Sequence, residues 1–94
     1  MGLLEVMKAT DKFRIEALLR DFHLKPDVRE RFQKDPDSVM REYGIDPQYW
    51  HLLKEGKLRT LYSMGIHQLL LYHLAHVLGI KRDEYVKRIN SPDF

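Results

Sequence analysis

The chain has 94 residues, 44% of them apolar, with five Tyr, four Phe and one Trp, enough to fill one small core and too few for a second independent domain. It has no cysteine, which excludes a disulfide framework and a thiolate metal site, and its 16 basic against 14 acidic residues leave a net charge of +2, too balanced for an electrostatic nucleic-acid binder. The longest apolar run, Leu69 to Tyr72, is far too short to cross a bilayer and no charged-then-apolar export signal opens the chain, so the expectation is a soluble cytoplasmic protein without membrane or nucleic-acid partners.

Residues 1–9 carry Leu3, Leu4, Val6 and Met7 and read equally as a frayed turn, the start of a longer first helix, or a loose end. Thr10 is placed to cap a first helix running to about Leu24, with Phe13, Ala17, Leu18 and Phe22 on its inner face. Pro26 opens a second helix with Val28 and Phe32 one turn apart. Asp35-Pro36 and Asp46-Pro47 each offer a side-chain acceptor just outside a helix and a proline at its first position, where a missing N–H costs nothing. The helix after Asp35 buries Val39, Met40 and Tyr43; the one after Asp46 carries Trp50 and Leu53 on one side. Gly44, Gly56 and Gly65 sit where left-handed helix ends belong.

Lys57 to Met64 repeats the pattern with Leu58, Leu61 and Tyr62 inward. The most apolar helix follows, about Ile66 to Leu78; on a wheel of roughly 100° per residue its Ile66, Leu69, Leu70, Leu74, Val77 and Leu78 cover more than half the circumference. Gly79 ends it, and Lys81 to Asn90 forms a last helix with Tyr85, Val86 and Ile89 inward. No run alternates with period two, so the fold class expected is all-α: one compact domain over residues 10–90, six or seven short helices around one central apolar helix, with a tail at 91–94.

Five histidines invite a metal or acid–base reading, and the spacing of His73 and His76 can chelate. A closed site needs further ligands, and no Glu or Asp occurs between Glu55 and Asp83 to share that face, so helix-flank histidines are the better account. No nucleophile elbow, phosphate loop, dinucleotide fingerprint or HExxH is present, and Asp35 and Asp46 are sufficiently explained as caps. No catalytic residue is assigned. The basic clusters Arg29, Arg31, Lys34 and Lys81, Arg82, Lys87, Arg88 are interleaved with Asp27, Glu30, Asp35, Asp83 and Glu84, which nearly cancels their field. Ten aromatic rings exceed what so small a chain readily buries, so some should face a partner. Trp50 reads both as core anchor and as contact residue, whereas Tyr49 and Tyr72, on the flanks of their apolar stripes, read as contact residues.

Taken in order, R-E-R-F-x-x-D from Arg29 to Asp35, E-Y-G-I-D-P from Glu42 to Pro47, L-x-x-G from Leu53 to Gly56, L-x-x-x-G-x-H from Leu61 to His67 and D-E-Y at Asp83 to Tyr85 resemble the small all-helical α subunit of protocatechuate 4,5-dioxygenase, the LigA-type family. The resemblance covers about two thirds of the chain, from near Phe22 to Ile89. It implies a non-catalytic lid of an extradiol aromatic-ring-opening dioxygenase. A larger catalytic subunit would hold non-haem Fe(II), with no cofactor in this chain, and the partner would be met around Tyr49, Trp50, Gly65, His67 and Tyr72. A second copy of the chain is a further candidate partner, since an apolar groove on so small a domain is easily shared. Two departures stand out: His67 occupies a turn where the family often has Asn, and Leu74 to Ile80 runs almost directly into the last helix, without the aromatic insertion of members that act on protocatechuate. The alternative reading is a stand-alone interaction module of the same fold without dioxygenase activity.

Overall fold

In a computed structural model of the chain, residues 7–94 are described, and every regular element among them is helical. The order is α1 (Ala9–Leu24), α2 (Pro26–Lys34), α3 (Pro36–Glu42), a single 3-10 turn (Pro47–Tyr49), α4 (Trp50–Glu55), α5 (Leu58–Ser63), α6 (Gln68–Val77) and α7 (Arg82–Ile89). This is the all-α single domain expected. Leu3, Leu4 and Val6 lie outside the described residues, while Met7 is buried in the core.

The helix ends follow local chemistry. The Asp35 carboxylate accepts the Ser38 N–H at 3.3 Å and the Asp46 carboxylate accepts the Gln48 N–H at 3.1 Å, with Pro36 and Pro47 at the first helical positions. Gly44, Gly56 and Gly65 all have positive φ, the conformation that turns the chain out of a helix. Thr10 is not the cap expected of it: the cap position falls two residues earlier, at Lys8, without a side-chain hydrogen bond, and Thr10 lies within α1.

α6 packs most extensively on α1; α2 lies against α1 and α3, α5 against α7 and α6, and α4 against α3 and α5. The two long helices run side by side in the same direction, since Glu16 midway along α1 accepts the His67 N–H just before α6 and His23 near the end of α1 stacks on His73 within α6. Phe22 and Phe32 meet edge to face at 4.9 Å between centroids, joining α1 to α2. The Gln33 side chain donates to the Val77 carbonyl at 3.0 Å, and the Arg88 guanidinium to the Glu55 carbonyl at 2.9 Å, so long polar side chains satisfy helix-end carbonyls across the fold.

Four inward assignments are corrected. The buried face of α1 is Ile15, Leu18, Leu19 and Phe22, and Phe13 is exposed. Leu69 of α6 is exposed, while Leu71 is fully buried in its stead. Tyr62 of α5 and Val86 of α7 also face outward, each beside inward-facing neighbours, Leu61 and Tyr85. In each case an apolar stripe wider than the contact left two phasings open, and the position of the neighbouring helix selected one.

Candidate functional site

α6 presents a row of side chains that no other element covers. Leu69, Tyr72 and His76 stand at i, i+3 and i+7, on one side of the helix. Leu69 is 59% and Tyr72 49% exposed, whereas Leu71, Leu74, Ala75 and Val77 on the opposite side are buried. The row is flanked on both sides. Towards α7 the Tyr72 and Tyr85 rings meet at 5.3 Å and 86°, and towards α1 the His23 and His73 rings stack at 4.7 Å and 9°. Burial pushes the Tyr85 hydroxyl above its ordinary value, partly offset by the Gln68 side chain, so it remains a neutral donor at physiological pH.

Shallow hollows follow this face from end to end. One of about 440 Å³ is lined by Tyr62, Gly65, Ile66, His67 and Gln68. The next, about 410 Å³, shares His67 and Gln68 and adds Leu69, Tyr72 and Tyr85. A third, about 360 Å³, continues from Tyr72 past His76 and Gly79 to Lys81. His67 holds the start of α6: its Nδ1 accepts the Leu69 N–H at 3.1 Å and its backbone N–H donates to Glu16 at 3.2 Å. With Nδ1 occupied as an acceptor, the neutral ring carries its proton on Nε2, leaving one N–H donor at the rim of the hollows.

The face offers apolar area and hydrogen-bond donors. Among the described residues no three His, Asp or Glu side chains are grouped so as to hold a metal ion. The His73 ring is taken up in the stack with His23, and among the described residues no third ligand completes a metal site with His73 and His76. Burial first, then His23 and His76, hold the His73 imidazole below its ordinary value and so neutral near pH 7.

Of the residues expected at a partner surface, Gly65, His67 and Tyr72 come together along α6, and Tyr49 and Trp50 line none of these hollows. Tyr49 is only 8% exposed, its hydroxyl 3.4 Å from the Asp11 carboxylate, and it belongs to the core. It falls in the 3-10 turn, where each residue rotates by about 120° instead of about 100°, so an α-helical wheel misplaces it. Trp50 is half-buried; its Nε1–H donates to the Ile45 carbonyl at 2.8 Å and the Arg41 guanidinium lies over its ring at 5.6 Å. That arrangement makes it an anchor of the α3–α4 corner. Tyr62 and Leu69 are the surface residues the sequence did not reveal, because tyrosine and leucine at helical spacing look the same whether a neighbour or solvent meets them.

The family model described as aromatic-ring-opening dioxygenase LigAB, LigA subunit, matches residues 15–89. The chain belongs to this family. No curated protein and no solved structure matches it.

Proposed function

We propose that this LigA-family chain is the non-catalytic small subunit of an extradiol aromatic-ring-opening dioxygenase, docking on a larger, LigB-type catalytic subunit through the outward face of α6 and covering the mouth of its active site. The observation that carries the reading is the uncovered row Leu69, Tyr72 and His76, continued by Tyr62, Gly65 and His67. A leucine and two tyrosines about half exposed on neighbouring surface are costly to leave in water and gain on burial about 25 cal/mol per Å² of apolar surface. The tyrosine hydroxyls and the His67 Nε2–H supply orientation-sensitive donors around that apolar centre.

The iron that such ring opening uses finds no fitting set of ligands among the described residues, and we assign it to the larger subunit. What this chain's residues contribute is cover: apolar side chains that exclude water over a partner's pocket and donors that fix the lid's register. The test is reconstitution. The purified chain is expected to bind no Fe(II) tightly and to open no catechol ring, and addition of the cognate large subunit is expected to give a complex that survives gel filtration with altered turnover. Ring opening by the isolated chain, or failure of any large subunit to associate, overturns the reading.

One observation favours the second reading, an interaction module of the same fold without dioxygenase activity. α6 ends at Val77 and α7 begins at Arg82, so the connection is too short to carry a segment reaching into a partner's substrate pocket. A stable complex whose large subunit turns over equally fast with and without this chain would select it.

A further inference from the structure

A separate hollow of about 340 Å³ lies where α1, α2 and α6 meet, lined by Phe22 and His23 of α1, Arg29 of α2, and Tyr72, His73 and His76 of α6. Four of these six side chains carry nitrogen that is or can become cationic, and no carboxylate lines the space. Arg29 donates to the Phe22 carbonyl at 2.7 Å, which fixes its guanidinium at the end of α1. Among the described residues it makes no ion pair, although other cations on the helix flanks do: Arg31 with Asp27 and Glu42, Lys54 with Asp37, Arg88 with Glu84. The hollow therefore sets one guanidinium, without an ion pair among the described residues, beside three imidazoles and no carboxylate.

We propose that this hollow is an anion site for a small, freely diffusing oxyanion such as a carboxylate, held by Arg29 and by His23, His73 and His76 as they take up protons. Stacking occupies the faces of the His23 and His73 rings and leaves their edges, where the N–H groups are, for a ligand. The groups that meet His73 are His23 from α1, Arg29 from α2 and its own neighbours His76 and Tyr72. With the hollow empty, burial and the neighbouring imidazoles keep His73 neutral. A negative charge placed among them removes that mutual repulsion, so binding and protonation favour each other. The hollow borders the docking face, sharing Tyr72 and His76 with it, but its test needs only this chain.

The experiment is a pH titration of the histidine ring protons of the full chain by NMR, in sodium sulfate and sodium acetate against sodium chloride at matched ionic strength. The two oxyanions are expected to raise the His23 and His73 midpoints by about half a unit, equivalent to about threefold tighter binding to the protonated form. Arg29→Met is expected to abolish the shift and the exposed substitution His76→Gln to reduce it. His76→Gln leaves the Arg29 bond and the ring stack in place, and so decides the matter even if Arg29→Met fails to fold. Equal midpoints in all three salts, or the same shift in wild type and His76→Gln, overturns the proposal.

Discussion

Tyr43 joins α3 to α1 through its hydroxyl, which donates to the Asp21 carboxylate. Burial first, then the hydrogen bond and the charge of Asp21, push the phenol well above its ordinary value. The folded state thus holds that proton more tightly than the unfolded chain does. Its contribution is complete below the unfolded value of about 10 and is lost as pH rises through and beyond it. Tyr43→Phe should cost about 1 kcal/mol at pH 7, and its deficit against wild type should shrink above about pH 10; urea unfolding at the two pH values measures both. Gly56 is constrained differently. Its φ is +68°, and an added Cβ would lie 2.8 Å from Arg88 Nη1 and 2.9 Å from Ile80 Cδ1. Arg88 cannot simply swing aside, because that same nitrogen donates to the Glu55 carbonyl. Gly56→Ala should therefore add the loss of this bond to backbone strain, about 2–3 kcal/mol together, and lower the melting temperature by roughly 10 °C or more. A melting temperature within 2–3 °C of wild type, a shift of roughly 0.5 kcal/mol, would show that the contact relaxes freely.

α6 shows what a helix states about itself and what it leaves to its neighbours. Its beginning and end are local matters: His67 caps it and Gly79, at φ +75°, lets the chain leave it. The same holds for the Asp35 and Asp46 caps, which is why the run of short helices was legible from the sequence. Orientation is not local. Leu69, Leu70 and Leu71 are consecutive, so α6 has apolar residues on nearly every side, and only the arrival of α1 and α5 decides that Leu71 is buried and Leu69 is not. The candidate face was partly legible for this reason: Gly65, His67 and Tyr72, expected at a partner surface from stop signal, motif and flank position, lie along it, while Leu69 was assigned to the core. The two leucines should consequently behave in opposite ways. Leu71→Ala should destabilise by about 2–5 kcal/mol, a large share of what holds so small a domain together. Leu69→Asp should leave thermal stability within about 0.5 kcal/mol of wild type. Comparable losses for both, read by calorimetry, would mean that α6 is packed on all sides and has no face to offer.

As a whole the molecule is a slab, 40 × 31 × 18 Å along its principal axes, so its broad faces exceed the roughly 800 Å² per partner that a standard protein interface covers. No helix among the described residues is long and apolar enough to cross a membrane. Energy at such a surface concentrates in a few large side chains near its centre. Tyr72 is placed for that role, since it lines the hollows on either side of it and its ring is held against Tyr85 before any partner arrives, which lowers the entropy lost on docking. Tyr72→Ala and Leu69→Asp should each weaken association with the large subunit by about 1–3 kcal/mol, roughly fivefold to 150-fold in Kd. Trp50→Phe should change it by less than about 0.5 kcal/mol, because that ring is spent within the fold on Ile45 and Arg41. Titration calorimetry on the reconstituted pair separates the two groups. If Trp50→Phe proves the more damaging, the docking face lies at the α3–α4 corner and α6 is covered by something else; a dimer of the chain alone that Leu69→Asp dissolves would name that cover as a second copy.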